Sequence, residues 1–201
     1  LAGAITPNTV AFLVEPIQGE AGVNVPPDGY LREVREICTA NQVLLIADEI
    51  QTGLGRCGQL FASDWEEVTP DMITIGKALS GGMMPVSATV GSREILGLFE
   101  PGMHGSTFGG NPLASAVARE ALKVIVEEEL PRRARELGLY FRNGLREIQS
   151  PVVKEIRGKG LLIGVELTEE AGHARPFAKK LQERRVLAKD THGTVIRFAP
   201  P

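Results

Sequence analysis

Val43-Leu44-Leu45-Ile46-Ala47-Asp48 and Met72-Ile73-Thr74-Ile75-Gly76-Lys77 are two short apolar runs, each ending on a charge. Runs this short, rich in Val and Ile and bounded by polar residues, predict strands buried on both faces, the pattern of a parallel sheet. Val10-Ala11-Phe12-Leu13-Val14 reads the same way upstream. Between Val14 and Val43, Pro26-Pro27-Asp28-Gly29 is a turn with Asp28 as the candidate N-cap. Leu31, Val34, Ile37 and Cys38 then recur at helical spacing up to Asn41. Strand, helix and strand in direct succession predict a mostly parallel sheet with crossover helices, an α/β fold. Further strands are expected at 71–76 and 86–90.

The pattern changes in the second half. Asn111-Pro112 carries a capping asparagine and a first-turn proline, and predicts a long helix reaching about Glu128. Pro131 opens another, with Ala134, Leu137, Phe141, Leu145 and Ile148 as its apolar stripe. Glu127, Glu128 and Glu129, with Arg132, Arg133 and Arg135, read as solvated faces at that junction. Strands are expected at Val152–Arg157 and Leu161–Leu167 around Gly158-Lys159-Gly160, then a helix near 175–185 and a strand at 194–198. This α+β pattern places a boundary near 126–130, giving a sheet domain over 1–126 and a smaller domain over 127–201.

The 201 residues suffice for a large core, and 43% apolar with 23% charged residues is ordinary globular composition. A net charge of −3 argues against nucleic acid, and no run approaches the ~20 apolar residues of a membrane span. Cys38 and Cys57 stand far apart, so neither a metal site nor a disulfide framework is indicated, and a reducing compartment follows. Many of the 23 glycines flank the charged motifs (Gly53, Gly55, Gly76, Gly81, Gly109, Gly110), where backbone can approach a ligand closely. The chain opens on Leu1 just before a strand and stops at Pro200-Pro201 just after one, as expected of an internal segment of a longer protein.

Asp48 and Lys77 would both project from carboxyl ends of parallel strands, where ligands bind in open α/β sheets. A lone lysine after a strand is usually a surface residue, and it is the company of Asp48 that shifts the balance. An amine beside a carboxylate suits pyridoxal 5′-phosphate: the amine bonds the aldehyde carbon, and the carboxylate keeps the pyridine nitrogen protonated. An opposite charge at that distance shifts a carboxylate pKa down by ~1–3 units. Gln51 follows closely enough to reach the ring's phenolic oxygen. The apolar run ending in Asp48-Glu49 also resembles the magnesium strand of phosphate-loop ATPases. That reading fails on the loop, because Ala78 follows Gly76-Lys77 and Asp71 stands where the first glycine belongs.

Two further groups stand out. His104-Gly105-Ser106-Thr107-Phe108-Gly109-Gly110-Asn111 sets hydroxyls and glycine amides before a helix start, a natural phosphate corner. His104 alone reads as a structural hydrogen-bonder. Glu15 and Glu20 follow the first strand, and Arg197 sits in the otherwise apolar last strand, where it needs an anionic partner. That partner is either a structural acid or a substrate carboxylate gripped through two N–H groups.

With these residues in order, the chain resembles the class III (ω-amino acid) aminotransferases, of the fold type I pyridoxal phosphate enzymes. The resemblance runs through Val14–Gly22, Ile46–Gly58, Asp71–Gly82, His104–Leu113, Arg157–Glu166 and Leu187–Pro201. Within the family it is most similar to the ornithine branch, through Glu-Pro-Ile-Gln-Gly-Glu-Ala-Gly at 15–22 and Leu-Ala-Lys-Asp-Thr-His-Gly at 187–193. The resemblance implies the second half of a large domain and most of a small one. It implies Lys77 as the cofactor-bonding lysine, Asp48 as the pyridinium partner and Gln51 on the phenolic oxygen. Ser106 and Thr107 would bind cofactor phosphate across a homodimer interface, and Arg197 would hold the α-carboxylate of glutamate or 2-oxoglutarate. Glu20 would cover Arg197 while ornithine presents its δ-amine, then swing away for glutamate. The implied reaction is transfer of that δ-amine to 2-oxoglutarate, in the cytoplasm or the mitochondrial matrix. Acetylornithine or 4-aminobutyrate as donor is the alternative, as is an inert fragment, since the family's phosphate loop and ring-stacking aromatic lie upstream of residue 1. Cys57 stands where relatives commonly carry threonine.

Overall fold

Residues 1–201 are described by a computed structural model. The first sheet takes the strands in chain order: β1 (Ala11–Val14), β2 (Leu44–Asp48), β3 (Met72–Ile75) and β4 (Ala88–Gly91). The first three run parallel, and β4 returns antiparallel to β3. The helical crossover α1 (Tyr30–Ala40) joins β1 to β2, whereas β2 reaches β3 through turns and a short 3-10 segment, Ala62–Glu66.

Side chains alternate along a strand, so the register sorts the sheet into two faces. Phe12 and Leu45 are register partners and pack with Leu31, Val34 and Cys38 of α1. On the other face stand Leu13 and its partner Ile46, and Leu13 is 60% exposed. The expectation of a first strand buried on both faces is therefore corrected. Nothing in this chain covers Leu13, because α1 packs only on the opposite face.

Helix α1 starts differently from the sequence reading. Asp28 does not cap it; Gly29 occupies the N-cap position at φ 90°, where an L side chain would be strained. The orphan amides of the first turn are met from 35 residues downstream, by Glu66. Its carboxylate accepts from Gly29 N (3.1 Å), Leu31 N (3.0 Å) and Arg32 N (3.1 Å). A negative charge there is also attracted by the positive end of the helix dipole. Glu66→Ala is expected to destabilise the full-length protein by about 1–2 kcal/mol, the upper part of the range for losing an N-cap. Urea titration checks this, and a shift indistinguishable from zero would show that water replaces the carboxylate freely.

After the one-turn helix α2 (Arg93–Leu96), two long helices follow. Asn111 Oδ1 accepts from Ala114 N (2.9 Å) and caps α3 (Pro112–Glu127), as its sequence predicts. Ala118 and Ile125 of α3 pack on Ile75 and Leu79. The next helix, α4 (Leu130–Glu147), buries Ala134 and Gly138 rather than the whole expected stripe, for Leu137 and Ile148 stay exposed. Gly138 lies hard against the backbone of Gly160, and a Cβ there would meet the Gly160 carbonyl oxygen at 1.9 Å. Arg132 pairs with Glu129 and Glu136 in solvent as expected. Arg135 instead donates to the Gly58 carbonyl (3.0 Å) and lies over the Trp65 ring.

The second sheet is wholly antiparallel, in the order β5 (Val153–Lys159), β6 (Leu162–Leu167), β8 (Val195–Phe198), β7 (Lys189–Thr191). Helix α5 (Ala174–Glu183) packs Ala174 against its core, near Ile163, Val165 and Ile196. Strand β7 was absent from the sequence reading. The sheets meet along a seam in which Leu162 packs with Ile17, Val23, Cys57 and Ala62. Arg157 pins that seam, donating to the carbonyls of Gly22 (2.7 Å) and Val23 (3.1 Å) while pairing with Glu166 and Glu155. No helix is long and apolar enough to cross a membrane.

Candidate active site

Asp48 ends β2 and is the register partner of Thr74 in β3, three residues before Lys77. Carboxylate and amine thus emerge from adjacent parallel strands at the same edge of the sheet. One oxygen of Asp48, Oδ1, accepts from Ile50 N (3.1 Å) and Thr74 Oγ1 (3.1 Å). Its other oxygen accepts from no protein group and is free for a cationic partner. Lys77 is exposed, and its ammonium makes no hydrogen bond or ion pair. The backbone at Lys77 sits at φ 43°. A non-glycine residue in that left-handed region costs of order 1–3 kcal/mol, a strain that concentrates at functional positions.

A cavity of about 1140 Å³ opens beside Lys77. Arg56, Lys77, Arg133 and Arg197 line it, with Glu120 as its one acidic side chain. A cationic, partly apolar cavity of this kind concentrates anions such as phosphates and carboxylates. Gln51 reaches it too, from the turn after β2, and its amide lies close over residue 19, where a Cβ would stand 2.6 Å from Gln51 Oε1 and push that amide aside.

Asp48 does not line this cavity. Strand alternation puts it on the uncovered face with Ile46 and Leu13, and its two donors hold it there. Asp48 and Lys77 share the strand-end edge of the sheet, not this cavity. Ser106 and Thr107 also lie outside it. Both are exposed on the loop before α3, where Ser106 Oγ accepts from Gly109 N (2.9 Å). His104 is exposed and meets the Phe99 ring edge-on at 6.4 Å.

Glu20 and Arg197, 177 residues apart, are in direct contact. Arg197 Nη1 donates to Glu20 Oε1 at 2.5 Å and to Gln51 Oε1 at 3.1 Å. The Arg197 hydrogen bond holds the Glu20 carboxyl below its usual pKa, against a smaller opposing push from desolvation. A depressed carboxyl pKa means the pairing is complete above the ordinary value of 4.5 and fades as pH falls through the lowered one. Only 14% of the arginine side chain is exposed, so this contact meets the requirement for a partner in an apolar strand.

Sequence reading gave no role to three groups that shape the site. Thr74 orients Asp48, and the signal was its place in the adjoining strand. Glu49, only 1% exposed, accepts from Thr52 Oγ1, Ala62 N (2.9 Å) and Ser63 N (2.8 Å), which fixes the loop beneath the cavity. Its spacing to those amides carries no local signal. Strand β7 supplies Lys189, whose Nζ lies 3.4 Å from Glu20 Oε2. Cys57 is fully buried with its thiol pKa pushed up to about 12, chiefly by burial, and is chemically quiet.

The class III aminotransferase family model matches residues 1–201. The chain belongs to the class III aminotransferases. An ornithine aminotransferase of Geobacillus sp. is 61% identical over all 201 residues of this chain and 50% of its own length. The solved Toxoplasma gondii ornithine aminotransferase, with partial occupancy of PLP at its active site, superposes with a TM-score of 0.94 at 52% identity, covering 97% of this chain and 46% of that one. The acetylornithine aminotransferase of Elizabethkingia anophelis gives 0.89 at 48% identity, over 95% of this chain and 49% of that one. The chain spans about half the length of the curated relatives it matches. Class III aminotransferases use pyridoxal 5′-phosphate, and the fold is of type I. The donor set here fits that cofactor: an unbonded amine on a cationic cavity that Arg197 also lines, and, at the same strand-end edge, a carboxylate with one free oxygen.

Proposed function

We propose that the full-length protein is an ornithine aminotransferase, moving the δ-amino group of ornithine to 2-oxoglutarate to give glutamate semialdehyde and glutamate. The observation that carries this reading is the arginine of the cavity covered by a carboxylate, Arg197 beneath Glu20. One site must accept two unlike donors. With Glu20 on Arg197 that guanidinium is not offered to an α-carboxylate, so a donor presenting a distal amine is favoured. With Glu20 withdrawn, Arg197 offers a bidentate grip to the α-carboxylate of glutamate or 2-oxoglutarate.

When bound, pyridoxal 5′-phosphate supplies an electron sink for the carbon that bears the migrating amine. Lys77 would bond its aldehyde carbon and, once displaced by substrate, move the proton at the reacting carbon. Such positioned proton transfer is worth ~10²–10⁴-fold. Asp48, through its free oxygen, would keep the ring nitrogen protonated, with Thr74 and the Ile50 amide holding the carboxylate in place. Gln51 would donate to the phenolic oxygen while its own oxygen engages Arg197. Ser106 and Thr107, exposed on their loop, would meet the phosphate of a partner subunit's site in a homodimer. Residues 1–126 would then be the second half of the large domain and 127–201 most of the small one. A cytoplasmic setting belongs to this reading, with the mitochondrial matrix as its alternative.

The likeness to an acetylornithine enzyme makes an acetylated donor the second reading. A free α-ammonium is attracted by the Glu20 carboxylate and an acetylated one is not, which favours ornithine. Purified full-length protein is to be assayed with ornithine, N-acetylornithine and 4-aminobutyrate against 2-oxoglutarate. Ornithine is expected to give the highest kcat/KM, by tenfold or more. A preference for either of the others contradicts the assignment.

A further inference from the structure

Strand β7 touches Glu20 twice. Lys189 and Thr191 are two residues apart, hence on one face of the strand. Thr191 Oγ1 donates to the backbone carbonyl of Glu20, and Lys189 Nζ sits 3.4 Å from its carboxylate. Lys189 is also the register partner of Arg197, so two cations stand directly opposite each other on β7 and β8. Like charges so placed repel, and the Glu20 carboxylate bridges them, Oε1 on Arg197 and Oε2 on Lys189.

The two contacts are unequal. Arg197 holds Glu20 at 2.5 Å, shorter than the usual 2.7–2.9 Å of a charged N–H···O bond, while Lys189 at 3.4 Å is well beyond it. The lysine contact therefore has room to shorten once Arg197 lets go. The Lys189 side chain is 62% exposed on a flexible stem, free to follow the carboxylate. Thr191 meanwhile anchors the Glu20 backbone, so the carboxylate can turn about its own side-chain bonds without the loop moving.

Resting on the ornithine aminotransferase reading, we infer that Lys189 is a positioning residue of the gate: it takes over the Glu20 carboxylate when a substrate α-carboxylate claims Arg197. Glu20 then passes from one cation to its cross-strand neighbour instead of into water. Lys189 acts only through Glu20 and touches neither cofactor nor reacting atoms.

The test uses the full-length holoenzyme and measures the two half-reactions separately, with ornithine and with glutamate. Lys189→Met keeps the aliphatic stem and removes the charge. It is expected to lower the glutamate-to-ornithine ratio of kcat/KM about three- to tenfold, mostly through KM for glutamate, and Lys189→Arg is expected to restore the ratio to within twofold. In a Glu20→Ala background, Lys189→Met is expected to leave the ratio unchanged. The inference is overturned if Lys189→Met alters both donors equally or neither, if Lys189→Arg fails to rescue, or if the lysine still matters without Glu20, which would make it a direct substrate contact. Failure of the underlying assignment looks different, since wild-type protein would then not use ornithine and glutamate as its donor pair.

Discussion

Lys77→Ala is expected to abolish transamination in the full-length protein, lowering turnover by at least the ~10²–10⁴-fold that positioned proton transfer supplies. Loss of the covalent hold on the cofactor adds to this. No other lysine of these 201 residues can take its place. Lys123 is exposed on α3 beside Glu120, Lys154 pairs with Glu166, and Lys159 lies over Trp65. Lys179 and Lys180 belong to α5 on the far sheet, and Lys189 is tied to Glu20. The variant should fold normally, because Lys77 is exposed and unbonded, and alanine, which keeps the Cβ, leaves the backbone strain at φ 43° as it is. Single-turnover assays with ornithine give the readout. Residual activity within tenfold of wild type would remove Lys77 from the chemistry.

Arg197→Met should produce the second large effect, and an asymmetric one. A bidentate grip on a carboxylate comprises two charge-assisted hydrogen bonds, each worth ~1.5–3 kcal/mol. At 1.4 kcal/mol per factor of ten, kcat/KM for glutamate and for 2-oxoglutarate should fall about 10²–10⁴-fold. Ornithine, met while Glu20 covers the arginine, should lose far less. Arg197→Lys keeps the charge without the fork and should fall between. Equal losses for all three substrates would mean that Arg197 supports the strand, as one side of an ordinary ion pair, and does not recognise a carboxylate.

What the residues disclosed in advance depended on range. The ends of β2 and β3, the Asn111-Pro112 start of α3 and the position of Lys77 are written in neighbouring residues, so hydropathy and capping chemistry sufficed. The need of Arg197 for an anion was legible for the same local reason, an isolated charge in an apolar strand. Glu66 capping α1 and Glu49 fixing 62–63 were not, because a carboxylate that reaches distant amides leaves no periodic trace. Strand β7 escaped because three polar or half-exposed residues, Lys-Asp-Thr, carry no hydropathy pattern and are strand only by pairing with β8. The open face of β1 escaped for the opposite reason. Leu13 is apolar enough to be a core residue, and hydropathy cannot say that this chain brings nothing to cover it. The same open face explains why Asp48 stands beside the cavity of Lys77 without lining it.

The central claim is that the strand-end amine at position 77, beside the strand-end acid at 48, carries the cofactor. Its most direct test is to reconstitute the full-length protein with pyridoxal 5′-phosphate, reduce it with borohydride and map the label by peptide mass spectrometry. A pyridoxyl group on the peptide containing Lys77, lost in Lys77→Ala and weakened in Asp48→Ala, is the predicted result. A label on any other lysine, or none at saturating cofactor, would contradict the account.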